Sequence, residues 1–183
     1  TETPLAVEGA LGYGEGVQVL LDESAVGLRW KEVAAEIDDV VERPAVVAIR
    51  RGGVALASEL VRQLGDVDHG SVDIALYRDD AATALPDPKI GPSVIPFDVV
   101  GRDIVLVDDV LQTGRSVRAA IDALLDYGRP RRVWLAVLVD RGGRELPIAA
   151  DFVGFVRTVE PKKRLRVESR EADGQLHIQV MSR

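Results

Sequence analysis

The apolar positions of this chain follow two periods, one typical of helices and one typical of buried strands. Apolar residues recur at helical spacing in three segments, which are residues 24–41 (capped by Asp22 or Ser24), Val54–Leu64 and Arg115–Tyr127. Short, largely β-branched or fully apolar runs predict strands in four segments, Ala45–Ile49, Val72–Tyr77, Ile104–Val107 and Val133–Val139. Strands that alternate with helices at this spacing predict an α/β fold whose mainly parallel, twisted sheet is flanked by helices on both faces.

The two ends of the chain depart from this alternation. Arg164–Ser169 and Gln175–Met181 flank an Asp-Gly pair at 173–174, which predicts a C-terminal β-hairpin. Residues 1–16 hold one proline and four glycines without a sustained period. We therefore expect a loose N-terminal tail over 1–16 and a single domain over 17–183.

One internal segment, Arg78–Asp98, shows no period and carries four prolines. Loops longer than about 15 residues are uncommon in compact domains and are often lids or binding loops. The segment is therefore interpreted as a flexible lid loop, with a surface excursion as the alternative.

Composition narrows the classes of function. The 183 residues include no cysteine and only two distant histidines, His69 and His177, which argues against disulfides, thiolate chemistry and a zinc site. No apolar run approaches the ~18 residues of a membrane span, and the N-terminus has no basic flank, so we expect a cytoplasmic protein without a membrane partner. The net charge of −7 is concentrated in residues 1–40, where nine acids face two bases. Such a region repels nucleic-acid phosphates, although simple solubility also explains it.

The most informative segment runs from Ile104 to Ser116. A buried strand is followed by two carboxylates, Asp108 and Asp109, and then by a short loop that opens a helix. Ligands of open α/β sheets bind outside the carboxyl ends of the strands, and a helix N-terminus favours an anion. Hydroxyl donors in the loop and a glycine at position 114 complete a predicted phosphate cradle.

The paired acids do not fit a site for phosphate alone, because they would repel it. They suit a ligand that offers hydroxyl groups or a divalent cation near its phosphate, as a sugar phosphate does. The alternative is that Asp108 and Asp109 only cap the turn.

Residues 104–116 resemble the signature of type I phosphoribosyltransferases, which binds phosphoribosyl pyrophosphate (PRPP). Three further segments, Asp73–Asp80, Asp122–Pro130 and Ala136–Ile148, are similar to the PyrR family, and the similarity covers roughly residues 19–180. Members of that family are pyrimidine-operon attenuation regulators that also act as uracil phosphoribosyltransferases. The resemblance implies a type I phosphoribosyltransferase fold, a Mg²⁺-dependent reaction of PRPP with uracil that yields UMP, and a homodimer or homotetramer.

The resemblance also implies roles for individual positions. Asp108 and Asp109 would hold the ribose hydroxyls and, with Arg78 at the start of the lid, are the candidate catalytic residues. The other implied ligands of PRPP lie in two loops, as Arg50, Arg51 and Gly52 for the pyrophosphate and as Gln112, Thr113, Gly114, Arg115 and Ser116 for the 5-phosphate. Asp140 would hold water on Mg²⁺.

This chain departs from the family pattern at the base end and in the first helix. Phe155 and Val156 replace a lysine and an asparagine, so we predict base binding there, with Phe155 stacking on the base or packing in the core. The helix that presents basic groups to RNA in the family reads Lys31–Glu36 here, inside the acidic region. A local basic run at Arg157, Lys162, Lys163, Arg164 and Arg166 is interpreted as a solvated face.

We therefore expect a uracil phosphoribosyltransferase. Two alternatives remain open at this point. One is an RNA-binding regulator of pyrimidine genes that senses UMP or PRPP with weak or no catalysis, which the acidic helix disfavours. The other is a phosphoribosyltransferase for another base.

Overall fold

The computed structural model describes residues 11–13, 17–79, 91–158, 165–172 and 175–182. Within these ranges the chain forms nine strands and three helices. In chain order they are β1 Leu11–Tyr13, β2 Val17–Leu21, α1 Glu23–Val40, β3 Ala45–Ile49, α2 Gly53–Leu64, β4 His69–Val72, β5 Asp103–Leu111, α3 Arg115–Leu125, β6 Arg132–Asp140, β7 Phe152–Val156, β8 Leu165–Ala172 and β9 Gln175–Ser182. No helix in the described ranges is long and apolar enough to cross a membrane.

The central sheet has five parallel strands in the order β4-β3-β5-β6-β7. Its middle strand, β5, pairs with β6 along its length and with β3 over Ile104–Val107, so those four residues have a strand on both sides. A strand buried in this way is apolar on both faces, which is why Ile104–Val107 has no polar alternation. The predicted parallel sheet is confirmed, and the carboxyl ends of β5 and β6 lie side by side.

Helices cover both faces of this sheet. Helices α1 and α2 pack on one face together with Val105 and Val107 of β5, whereas α3 packs on the other face with Ile104 and Leu106. The cap predicted for α1 is observed, because the carboxylate of Asp22 accepts a hydrogen bond of 2.9 Å from the backbone N–H of Ala25. The sheet is thus the middle layer of three.

Two predicted strands have different bounds in the structure. The strand expected at Val72–Tyr77 lies earlier, at His69–Val72, and the chain then turns. Asp73 causes the turn: its carboxylate accepts a hydrogen bond of 2.9 Å from the N–H of Ala75, a local bond that competes with strand pairing. The strand expected at Ile104–Val107 continues to Leu111, because Asp108, Val110 and Leu111 still pair with β6.

A second, antiparallel sheet has the order β1-β2-β9-β8. Strands β8 and β9 pair from Leu165 with Ser182 to Ala172 with Gln175, as the predicted hairpin requires, and its Asp-Gly turn at 173–174 lies outside the described residues. The structure differs from the prediction at Leu11–Tyr13, which pairs with β2 although it falls within the expected tail. The rest of that tail, residues 1–10 and 14–16, and most of the long loop, residues 80–90, also lie outside the described ranges.

Candidate active site

Asp108 and Asp109 are consecutive residues of β5, so their side chains point to opposite faces of the sheet. Asp108 is buried, with 7% of its surface exposed, on the face that α3 covers. Asp109 faces α2, where the carboxylate lies so close to Gly52 that a Cβ at Gly52 would be 2.5 Å from both carboxylate oxygens. The two acids therefore belong to different parts of the site. Asp108 lies on the side of α3, and Asp109 lies next to the loop before α2.

A cavity of about 400 Å³ lies at the carboxyl end of β5. It brings together five of the residues predicted from the sequence, namely Asp108, Gln112, Thr113, Gly114 and Ser116. Val110, Leu111, Val117, Arg141 and Leu165 complete its lining. Leu165 comes from β8, so the second sheet closes one side of the cavity above the end of the first.

The loop between β5 and α3 has the geometry of an anion site. Gly114 directly precedes the first helical residue, and its φ is +90°, a backbone conformation that residues other than glycine rarely adopt. The helix starts there, since the N–H of Arg118 donates to the carbonyl of Gly114 at 3.0 Å. The N–H groups of the first turn have no intrahelical partner, and they lie beside the hydroxyls of Thr113 and Ser116 at the cavity. The loop can therefore hold a phosphate with both backbone and hydroxyl donors.

Burial makes Asp108 an unusual acid. Its pKa is raised well above the ordinary range, chiefly because burial removes water from its charged form, and the charge of Asp109 adds to this. The N–H of Asp109 donates to Asp108 at 2.9 Å and opposes the shift, while the N–H of Val110 donates to Asp109 at 2.8 Å. A ligand that donates hydroxyl hydrogen bonds to Asp108 would favour its ionised form.

The loop after β3 brings Arg50, Arg51 and Gly52 to the edge of the site. Gly52 adjoins Asp109, and the Arg50–Arg51 peptide bond is cis. The guanidinium of Arg50 donates to the carbonyl of Pro92 at 2.7 Å, and Arg51 is exposed. The loop thus places positive charge between Asp109 and residues 91–98, the last part of the long loop.

Two predicted arginines, Arg115 and Arg78, do not line the cavity. The side chain of Arg115 forms ion pairs with Glu145 at 2.7 Å and with Asp79, and it does not line the cavity, so only its backbone N–H belongs to the phosphate loop. Arg78 is exposed next to Tyr77, whose carbonyl accepts a hydrogen bond of 2.5 Å from Arg118. This contact ties the start of the long loop to α3, while Asp80, the next predicted lid residue, lies outside the described residues.

Asp140 ends β6 and pairs in register with Leu111. One carboxylate oxygen accepts from the N–H of Gly142 at 2.9 Å, and the other from Arg144 at 2.5 Å. Each oxygen keeps a further acceptor position, so Asp140 could still hold a water molecule. No group of three or more His, Cys, Asp or Glu residues within the described ranges could hold a metal ion by itself. The donor set fits Mg²⁺ only if the substrate supplies most of the oxygens, which is the usual mode for this ion.

The structure does not favour stacking of Phe155 on a base. Phe155 is 4% exposed and belongs to the core cluster that includes Trp30, so its ring is not free to stack on a base. Val156 is exposed and pairs in register with Asp140 at the end of β7. The core interpretation of Phe155 fits the structure, and base binding by Val156 remains a prediction.

Outside the segment formed by β5, its loop and α3, two residues at the cavity and one beside it were not assigned from the sequence. Leu165 reaches the cavity from the other sheet, and no local signal distinguishes it from any apolar strand residue. Arg141 lines the cavity, and Arg144 contacts the backbone of its loop. Their position directly after Asp140, at the carboxyl end of a strand beside β5, is the signal that could have identified them.

Comparison with known proteins agrees with this geometry. Residues 17–164 match the family model described as the phosphoribosyl transferase domain. A protein named Bifunctional protein PyrR from Roseiflexus sp. strain RS-1 is 44% identical over 167 residues, which are 87% of this chain and 91% of the relative. The protein of that name from Thermus thermophilus is 46% identical over 153 residues, covering 81% of this chain and 84% of the relative. A crystal structure of a hypoxanthine-guanine phosphoribosyltransferase from Bacillus anthracis superposes with a TM-score of 0.63 at 22% identity, covering 79% of this chain and 85% of the other, which shows a shared fold.

Proposed function

Since this chain belongs to the phosphoribosyl transferase family, and its curated relatives are proteins named PyrR, we propose that it converts uracil and PRPP to UMP and pyrophosphate. One observation carries the proposal: Asp108 lines the same cavity at the carboxyl end of β5 as the loop residues Gln112, Thr113, Gly114 and Ser116. Donors for a phosphate and an acceptor for hydroxyl groups thus lie within one site. A ribose 5-phosphate group carries both a phosphate and hydroxyl groups and therefore fits such a site.

The 5-phosphate would bind at the start of α3. Backbone N–H groups of the first turn and the hydroxyls of Thr113 and Ser116 would donate to its oxygens, and the helix dipole would add a favourable field. Gly114 allows the backbone to approach the anion closely. The phosphate anchors the substrate, so the reacting carbon is held at a fixed distance from this loop.

The ribose ring would lie over the end of β5. Asp108 and Asp109 would accept hydrogen bonds from its two hydroxyls, one on each face of the strand. During the reaction positive charge develops on the ring as the bond to pyrophosphate breaks. The negative charge of Asp109, which is less deeply buried than Asp108, would stabilise that ring.

The pyrophosphate would leave towards the loop of Arg50, Arg51 and Gly52. A nitrogen of uracil forms the new bond to the ring carbon and gives up its proton, while the electron pair of the broken bond departs with pyrophosphate. Arg51, and Arg78 from the long loop, would offset the negative charge of the leaving group. Mg²⁺ bound to the oxygens of PRPP, with Asp140 holding one of its waters, would neutralise more of that charge.

The base would lie near the end of β7, beside Val156. Uracil is the acceptor that the PyrR resemblance implies, and this end of the site is where the chain departs most from the family pattern. A closed long loop would keep water from hydrolysing PRPP before the base reacts.

RNA binding is the second candidate function, because the curated relatives carry a name that declares two functions. The charge of helix α1 argues against RNA binding, because the helix has five acidic and two basic residues. One of those bases, Arg29, is held by Glu36 at 2.7 Å and by the carbonyls of Val153 and Gly154. If RNA binds, its affinity for a pyrimidine-operon leader should fall steeply as salt rises. No binding at low salt would exclude this role.

The proposed reaction is tested by nucleotide formation from PRPP, Mg²⁺ and a panel of bases, followed by chromatography. We expect UMP from uracil, and we expect a double variant, Asp108→Asn with Asp109→Asn, to lose at least about a hundredfold in rate. The matched control makes the same change at the exposed neighbours Asp38 and Asp39 of α1, which should leave the rate unaltered. An unaffected rate in the site variant would refute the assignment of the site. Preference for a purine would refute uracil as the acceptor.

A further inference from the structure

The guanidinium of Arg144 makes an unusual set of contacts below the phosphate loop. Its Nε donates to the carbonyl of Ile148 at 2.8 Å, and its Nη2 donates to the carboxylate of Asp140 at 2.5 Å. Its Nη1 donates to the carbonyls of Gln112 at 3.0 Å and Leu111 at 3.4 Å. One side chain thus joins the end of β5, the end of β6 and the segment that follows β6.

The same segment supports the loop by its backbone. The N–H of Arg141 donates to the carbonyl of Leu111 at 3.0 Å, and the N–H groups of Glu145 and Leu146 both donate to the carbonyl of Thr113 at 3.0 Å. Three successive carbonyls of residues 111–113 are therefore held by residues 141–146. In a trans peptide the N–H of the next residue points opposite to the carbonyl. Fixing these carbonyls directs the N–H groups of residues 112–114 away from the segment 141–146, and Arg144 holds the two peptide groups that carry the N–H of residues 112 and 113.

From these contacts we propose that Arg144 is a positioning residue, which holds the peptide groups of Leu111 and Gln112 so that the loop presents its N–H donors to the phosphate of the substrate. The inference rests on the proposed function and extends it to a residue that does not line the cavity. Preorganised donors bind an anion without the cost of ordering the loop at the moment of binding. Loss of Arg144 should therefore weaken binding of the phosphate end.

The environment of Arg144 separates this role from a direct contact with phosphate. Its Nε, Nη1 and Nη2 all donate to protein acceptors, and only 25% of the side chain is exposed. Arg131, at the opposite end of β5, also pairs with a carboxylate, that of Asp103, but 63% of its side chain is exposed. Arg131 therefore offers a matched control, in which an arginine–carboxylate pair is removed far from the loop.

The test compares Arg144→Ala, Arg144→Lys and Arg131→Ala in the full chain. Binding of PRPP with Mg²⁺ is measured by calorimetry, and KM is measured separately for PRPP and for the base. We expect Arg144→Ala to raise the Kd and the KM for PRPP about tenfold or more while the KM for the base stays within about twofold. Lysine should recover little of the loss, because a point charge cannot bridge the same set of acceptors. Added guanidinium should recover part of the PRPP affinity of Arg144→Ala.

The control variant and the results that would contradict the proposal can be told apart. Arg131→Ala should lower the melting temperature and leave the Kd for PRPP unchanged. Equal PRPP affinity in the wild type and in either Arg144 variant would overturn the positioning role, and so would an equal rise in both KM values. If Arg144→Ala does not fold, the PRPP affinity of Arg144→Lys is compared with that of the wild type instead. A wild-type chain that binds no PRPP would instead overturn the proposed function.

Discussion

Alanine at Gly53 would place a methyl group where α2 meets the central strand. Its Cβ would lie 2.9 Å from the carbonyl carbon and still closer to the carbonyl oxygen of Val107, and 3.3 Å from the Cα of Asp108. Carbon atoms pack best at about 3.5–4.0 Å, so the start of α2 must retreat by roughly 1 Å. Both obstacles are backbone atoms of a buried strand and cannot move aside, as a flexible side chain could. We expect a loss of about 2 kcal/mol in the free energy of unfolding, which is the middle of the range for overpacked sites.

That loss corresponds to a fall in melting temperature of roughly 4–8 °C for a domain of this size. Thermal unfolding followed by circular dichroism measures it. The matched control is Gly27→Ala in α1, where a Cβ meets nothing within 4 Å. There the same substitution should stabilise the chain by about 0.5–1 kcal/mol, because alanine favours the helix. A Gly53→Ala protein as stable as the wild type, or a less stable Gly27→Ala protein, would refute the reasoning.

Two further predictions concern buried polar groups. The raised pKa of Asp108 means that the folded chain holds a proton which the unfolded chain releases above about pH 3.9, so this residue lowers stability as pH rises towards its folded pKa. Asp108→Asn should therefore gain stability over the wild type as pH rises from about 4 towards the folded pKa of Asp108, measured by denaturant unfolding at each pH, and a constant difference would contradict the burial argument. Trp30, 1% exposed, donates from Nε1 to the carbonyl of Leu56 at 3.0 Å, so Trp30→Phe should cost about 1–3 kcal/mol, because it removes a buried hydrogen bond and leaves a gap where the larger indole packs. Urea unfolding checks that value, and a loss below about 0.5 kcal/mol would show that water replaces the bond.

The sequence predicts those elements whose signals are local. The stripe of α1 and its Asp22 cap, and the buried β5 with its two acids, depend on residues close together along the chain. The same is true of the loop that lines the cavity, because a strand, two carboxylates and a helix start follow one another directly. The fold class and the phosphate loop can therefore be predicted from the order of residues alone.

The remaining features depend on contacts between distant segments. Strand β7 is not predicted, since Gly154 interrupts its apolar pattern; in the structure a Cβ there would lie 2.6 Å from the carbonyl oxygen of Leu138. Leu165 lines the cavity only because the second sheet folds over the first. Phe155 is open to two interpretations because burial, which decides between them, is a property of the folded core.

The most direct test of the central claim is a map of where the phosphate end of the substrate binds. Backbone amide resonances of the isotopically labelled protein would be followed by NMR as ribose 5-phosphate, and then PRPP with Mg²⁺, is added. We expect the largest shifts on the N–H groups of Thr113, Gly114, Arg115 and Ser116. Binding that leaves these four resonances in place, or no binding of either ligand, would contradict the claim.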